Sequence, residues 1–306
     1  MTAVSEVRER LGRVGVLLPQ LWRGRADDCR LLAQEVERLA YPALWTGELV
    51  GGKDVFVNAA IVLSATNTIT FGTGIANVWA RAAATAQGAA AAVEAAWPGR
   101  FVHGLGISHP FAAAKSGQAY GKPIEQMRDY LRAMDESVAD LPLDAGPEAT
   151  VHAPRLLAAI GPRMLSLARD TSIGAMPRLM PPEHTDFARQ ILGADRVLAT
   201  EQYVVVTTDR GEAHRLARAL LEFYLTLKSY RSNLRRFGFD DSDFDAGGSD
   251  RLVDALVVWG SERAISRRVE ELHAAGADHV MIQPLGTSDE SVVEQLARLA
   301  PVLLDQ

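Results

Sequence analysis

Short apolar runs alternate along this chain with longer stretches whose Leu, Ala and Val recur at helical spacing, the pattern of repeated strand–helix units. The runs predict strands at residues 13–18, 43–45, 69–76, 101–107, 155–160, 173–176, 202–208 and 279–283. The periodic stretches predict helices at 27–40, 56–65, 82–97, 123–140, 162–170, 182–192, 212–236, 251–257, 262–275 and 290–304. Residue chemistry at the boundaries agrees. Pro98 and Gly99 stop the alanine-rich third helix, Pro123 stands at a first helical position, and Gly238 suits a helix end. Two stretches fit neither pattern: 109–122 is too long for a minimal strand–helix link and predicts an active-site loop, and 240–249 is an Asp- and Gly-rich loop. Eight strands alternating with helices fit a closed α/β barrel of the (β/α)8 TIM type better than an open doubly wound sheet. With no short-period repeat and no low-complexity linker, residues 1–306 read as one domain with insertions near 107–122 and 238–250.

Composition removes several classes of function. The chain of 306 residues is 48% hydrophobic, enough for a large core, and its net charge of -6 offers no basic face for nucleic acid or an anionic membrane. The single cysteine, Cys29, excludes an internal disulfide framework and a multi-cysteine metal cluster. The longest uncharged run, 55–80, is interrupted by Asn, Ser, Thr and Gly and never reaches the roughly 18 consecutive apolar residues of a membrane span. The N-terminal segment mixes Glu and Arg without a hydrophobic signal region, so a cytoplasmic protein is expected.

In such a barrel the working residues collect where strands end and loops begin. That rule selects Glu48, Asn77, Trp79, Ser108, His109, Gly161, Met176 and Gln283, together with Pro19 and Gln20. Glu48, after Trp45-Thr46-Gly47, offers a carboxylate to orient a ring or exchange a proton, and the alternative is an ordinary ion-paired or capping glutamate. The glycines of Gly72-Thr73-Gly74 predict a bulge or the close approach of something planar, with Asn77 beyond them offering a donor and an acceptor. His109 follows Gly104-Leu105-Gly106, where a ligand could lie against backbone, and an imidazole exchanges protons near neutral pH. His103, mid-strand, reads as core or lumen lining. Gly161-Pro162 opens a helix whose free amides suit a phosphate. The chain lacks the glycine-rich dinucleotide and phosphate-loop fingerprints, the zinc-protease HExxH and the GxSxG elbow, and no residues show metal-ligand spacing, so no metal is expected.

These residues also carry a resemblance. Leu44-Trp45-Thr46-Gly47-Glu48, residues 69–77 with Arg81, and Gly99-Arg100-Phe101-Val102-His103 through His109 resemble the luciferase-like monooxygenase superfamily. Ala158-Ala159-Ile160-Gly161-Pro162-Arg163, Gly174-Ala175-Met176-Pro177 and residues 248–256 resemble its F420-dependent oxidoreductase subgroup. The resemblance implies hydride transfer between coenzyme F420, a deazaflavin, and a small organic substrate. It implies a non-proline cis bond at Gly74–Ile75 or Ile75–Ala76 that, with Asn77 and Ser108, backs the cofactor ring. Ile160, Gly161, Gly174, Ala175 and Met176 would hold the phosphate tail. His109, Glu48 and Asn77 would be the catalytic set, and the assembly a homodimer. Two alternatives accompany it: an FMN-dependent monooxygenase served by a separate reductase, or a cofactor-free barrel acting as a binding protein. Leu49 stands where the sugar-phosphate dehydrogenases of the superfamily have histidine, His109 where they have glutamate, and Ser172-Ile173 where Asp-Gly is usual. These departures point away from a sugar-phosphate substrate.

Overall fold

A computed structural model describes residues 3–139, 146, 150–287 and 290–304. Before the first strand lies a helix that the sequence pattern did not announce, α1 (Ala3–Leu11). Then come β1 (Val14–Leu17), α2 (Gln20–Arg23), α3 (Ala26–Arg38), β2 (Ala43–Thr46), α4 (Val55–Ala65), β3 (Thr70–Thr73), β4 (Ala76–Asn77), α5 (Ala83–Ala96) and β5 (Phe101–Gly106). The chain continues through α6 (Pro110–Lys115), α7 (Pro123–Ala139), β6 (Arg155–Leu157), α8 (Pro162–Thr171), β7 (Gly174–Ala175), α9 (Pro182–Leu192) and β8 (Val197–Val205). It ends with α10 (Arg210–Tyr224), α11 (Lys228–Leu234), α12 (Asp250–Leu256), β9 (Val257–Trp259), α13 (Glu262–Ala274), β10 (His279–Pro284) and α14 (Val292–Leu303).

The strands pair in parallel in the order β10-β1-β2-β3-β5-β6-β7-β8, and β8 pairs back onto β10, closing an eight-stave (β/α)8 barrel. β4 continues the third stave after a two-residue break and pairs with β5; β9 lies alongside the end of β8. No helix among the described residues is long and apolar enough to cross a membrane.

Several boundaries differ from the pattern-based reading, each for a physical reason. The seventh stave is Val197–Val205 rather than 202–208, because Thr200-Glu201-Gln202 breaks the apolar run. Those polar residues are tolerated through partners elsewhere in the chain: Glu201 pairs with Arg178, and Gln202 Nε2 donates to the Leu256 carbonyl as well as to that of adjacent Tyr203. The helix expected over 212–236 is two helices, α10 and α11, separated without a Gly or Pro to mark the break. Gly238 does end the segment, in a left-handed conformation at φ 84°. The expected loop at 109–122 contains α6, and 240–249 contains two 3-10 turns. The expected helix end at 140 lies outside the described residues.

Alternate strand residues fill the lumen. Val7 and Leu11 of α1 belong to the same buried cluster as Leu17, Trp45, Val102, Leu156, Met176, Val197 and Met281. Trp45 explains one glycine of the third stave, because a Cβ on Gly72 would lie 2.0 Å from the indole Cε3. The planar group that Gly72 admits is therefore the protein's own ring. Trp45 Nε1 donates to His279 Nε2 at 3.1 Å, so the imidazole proton sits on Nδ1 and donates to the Gly12 carbonyl at 2.8 Å. Burial pushes the His279 pKa down to about 4, keeping it neutral. Burying an indole of this size contributes about 4–6 kcal/mol of transfer free energy. The packed lumen leaves the C-terminal mouth as the place for a ligand.

Candidate active site

The third stave stops at Thr73, breaks over Gly74 and Ile75, and resumes at Ala76. Glu48 sits at the centre of the polar network that holds this break. The Asn77 N–H donates to its Oε2 at 2.9 Å, the Val55 N–H to its Oε1 at 3.3 Å, and Arg81 donates to both oxygens. Arg81 also pairs with Asp54 at 2.8 Å, and Asp54 caps α4 by accepting from the Phe56 and Val57 amides. The Glu48 and Arg81 side chains are 2% and 10% exposed, so this is a buried, saturated pair. With its oxygens thus occupied, Glu48 suits positioning better than proton exchange. Asn77 accepts from the Trp79 N–H at 3.1 Å, and Trp79 Nε1 donates to the Ile107 carbonyl at 2.6 Å.

The glycines of the fourth stave serve the same break. A Cβ on Gly104 would meet the Thr73 carbonyl at 1.8 Å and Met176 Sδ at 2.7 Å; one on Gly106 would meet Ile75 Cδ1 at 2.1 Å. The backbone there is covered by protein atoms, which corrects the expectation that a ligand lies directly on it.

Beyond this stave Ser108 takes a left-handed φ of 52°, turning the chain so that His109 precedes α6. The His109 ring stacks on Phe111 with centroids 5.9 Å apart and tilts against Tyr230 at 5.9 Å. Burial pulls its pKa below the ordinary histidine value, so at pH 7 it is a neutral imidazole, ready to accept a proton. The neighbours of Glu48 and of His109 are different residues, so they are not a hydrogen-bonded pair. Tyr120 donates to the Ser108 carbonyl at 3.2 Å and packs on Trp79. His103 lies outside the lumen, its ring against Phe56 and Phe101, with burial pushing its pKa down to about 3.

On the next staves, Gly161 precedes α8 with no side chain capping the helix, and Arg163, exposed in its first turn, makes no ion pair among the described residues. A cation at the positive end of a helix is unfavourable by itself and marks a place for an anion. The Ile160 carbonyl is bonded to His184 Nε2 at 2.8 Å, and Asn233 of α11 lies beside Gly161. Gly174 is packed against the Val197 backbone, the Ala175 methyl joins the core between barrel and helices, and Met176 lies in the lumen cluster beside Gly74.

The mouth also holds a cluster that the sequence reading missed except for Gln283. Arg178 Nε lies 3.2 Å from Glu201, and its Nη2 reaches the Tyr203 hydroxyl and Gln283. Its guanidinium also lies over the rings of Tyr203 and Tyr224, 5.6 and 5.7 Å from their centroids. Tyr224 packs on Tyr230, which joins this cluster to His109. The signal in the sequence is Glu201, a charged residue at an inward position of a buried strand, and it is hidden because the apolar pattern places the start of that strand at 202.

The family description for luciferase-like monooxygenases matches residues 13–279. The chain belongs to the luciferase-like monooxygenase family. A 5,10-methylenetetrahydromethanopterin reductase from Methanolobus tindarius is 22% identical over 303 residues, covering 87% of this chain and 93% of the relative. An F420-dependent secondary alcohol dehydrogenase, solved with an F420–acetone adduct, has a TM-score of 0.71 at 14% identity and covers 95% and 98% of the two chains. The oxygenating constituent of 3,6-diketocamphane monooxygenase from Pseudomonas putida, solved with FMN, has a TM-score of 0.66 at 15% identity, with 95% and 98% covered. In this luciferase-like chain the cis bond is Gly74–Ile75, one of the two positions the resemblance implied.

Proposed function

We propose that this luciferase-like barrel is an oxidoreductase moving a hydride between bound coenzyme F420 and a small organic substrate. The observation that carries the reading is the break at Gly74 and Ile75, held by Glu48 and Arg81 at the mouth, with a cationic helix start that no side chain caps, at Gly161–Arg163, on the same rim. These residues fit a flat, apolar ring with an anionic tail. Ile75 and Met176 supply an apolar seat, Asn77 a polar anchor, and the α8 amides with Arg163 a phosphate site. The cofactor supplies two-electron chemistry; the chain supplies orientation and proton handling. Glu48 positions Asn77 and Arg81, Ser108 turns the chain at the mouth, and His109 exchanges the proton.

Titrating the purified protein with F420 and, separately, with FMN while following cofactor fluorescence tests this. Saturable F420 binding that FMN does not compete for is the expected result. Arg163→Glu should weaken it roughly tenfold by setting a negative charge against the tail. Preference for FMN would overturn the deazaflavin reading in favour of a monooxygenase fed by a reductase, and binding of neither would make the barrel a cofactor-free protein.

The working assembly is a homodimer. α4 is apolar on nearly all its faces, which is expected of a helix covered on both sides, yet Val57 is 58% exposed and Leu31 on neighbouring α3 is 65% exposed. Light scattering should give twice the chain mass, and Val57→Glu should give the monomer; a wild-type monomer would refute the assembly.

A further inference from the structure

We propose that Arg178 is the anchor for a carboxylate-bearing aromatic substrate, and that Glu201 is the resident counter-ion which that substrate displaces. The proposal names the substrate class of the mouth already described and rests on that reading.

Geometry sets the pair apart. Counting staves in either direction, β8 is four places from β3, so Glu201 faces the Gly74–Ile75 break across the barrel. The Glu201 N–H donates to the Pro177 carbonyl at 3.1 Å, which brings Arg178, the next residue, to the level just above the carboxylate. The Glu201 side chain is 1% exposed, whereas that of Arg178 is 29% exposed. One charge is therefore sealed in the lumen and the other reaches the mouth.

The pair is also poorly made. Among the described residues, Glu201 and Arg178 Nε make no hydrogen bond of good geometry with each other, although they lie 3.2 Å apart, and the Tyr203 hydroxyl is the other group that steadies the carboxylate. Buried polar atoms are nearly always hydrogen-bonded, and a charged pair left in this state calls for an explanation beyond stability. The guanidinium lies against the faces of Tyr203 and Tyr224 and hydrogen-bonds Tyr203 and Gln283 through Nη2 alone. Its Nη2 contact with Gln283 is long at 3.4 Å, so an incoming carboxylate can replace Gln283 and take the Nη1–Nη2 edge of this planar fork with two parallel hydrogen bonds, where Glu201 makes none with the guanidinium. The rings of Tyr224, Tyr230, His109 and Phe111 form a continuous wall beside it, a surface suited to an aromatic body.

Displacement is feasible because Glu201 tolerates a proton. Burial pushes its carboxyl up to about 7, against the opposing pull of Arg178 and Tyr203. Arg178 from the segment after β7, Tyr203 on its own strand and Tyr230 of α11 face it, while Tyr224 of α10 and neutral Gln283 of β10 face its partner Arg178. A substrate carboxylate draws Arg178 away and adds a second negative charge, and both effects raise the Glu201 pKa further. Binding therefore takes up a proton at slightly alkaline pH, and affinity falls as pH rises through the free-protein value.

Calorimetric titration of the full chain with benzoate, before and after loading with F420, tests this in two buffers of different ionisation enthalpy. Wild type should bind benzoate with uptake of close to one proton at about pH 8, and bind the neutral isostere benzamide far more weakly. Arg178→Met should weaken benzoate by about 10- to 100-fold. Glu201→Gln should bind benzoate at least as tightly as wild type, without proton uptake or pH dependence. The double variant, which leaves no lone buried charge, separates loss of the anchor from misfolding. Absent benzoate binding, equal binding of benzamide, indifference to Arg178→Met in a folded variant, or proton uptake persisting in Glu201→Gln would each overturn the proposal. Benzoate failing on protein that binds F420 refutes the anchor alone, whereas benzoate binding to protein that takes up neither F420 nor FMN refutes the cofactor reading alone.

Discussion

Glu48→Ala will lower the stability of this barrel by about 3–5 kcal/mol, the range for removing one partner of a buried ion pair. The Glu48 side chain is 2% exposed and that of Arg81 10%, so water cannot replace the carboxylate. Asp54 is the remaining partner of Arg81, but it is 44% exposed and already caps α4. The Asn77 and Val55 amides lose their acceptor at the same time, and each orphaned buried donor adds to the cost. The effect should reach the site: with Asn77 and Arg81 released, the rim after Ile75 loses its fixed position, and cofactor affinity should fall alongside stability. Denaturant unfolding gives the first quantity and fluorescence titration the second. A loss under about 1 kcal/mol would show that the pair is a surface-like interaction and that something else holds the break.

The fold was legible where local pattern and tertiary environment agree. The barrel's apolar staves, the proline at the start of α7 and the glycine after α11 are local signals, and all were readable. The seventh stave was misplaced because Glu201 and Gln202 are stabilised by Arg178 and the Leu256 carbonyl, distant in sequence and therefore invisible to periodicity. The division between α10 and α11 carries no breaker residue; packing of Tyr230 and Leu234 into the cluster over the mouth fixes it.

The site divides along the same line. Glu48, Asn77 and His109 are candidates in the sequence because strand ends are where a barrel keeps its chemistry. What each does could not be read, since role depends on neighbours. Glu48 is occupied by Arg81, whereas His109 stands among aromatic rings. Gly104 and Gly106 read as room for a ligand, yet that room belongs to Thr73, Met176 and Ile75. A glycine announces a close approach without saying by what.

The difference between Glu48 and His109 leads to the largest catalytic effect expected. His109→Ala should reduce turnover of any accepted substrate by about 10²- to 10⁴-fold, the usual contribution of a positioned acid or base, while leaving F420 affinity unchanged. The sign of the pH dependence follows from its setting. Burial disfavours imidazolium, so the pKa lies below the ordinary histidine value and the resting ring is neutral. In the direction of substrate oxidation the ring must accept a proton. That rate should hold through neutral pH and fall as pH drops through the depressed pKa. In the direction of reduction the ring must be charged, and the rate should fall as pH rises through the same value. Both limbs should vanish in the variant, which a purely structural role for His109 would not produce. Exposing the ring by Phe111→Ala should move the limb upward toward the ordinary value, because the desolvation that lowers it would be relieved. Turnover and pH profile unchanged in His109→Ala would remove His109 from the chemistry and leave the proton to another group at the mouth.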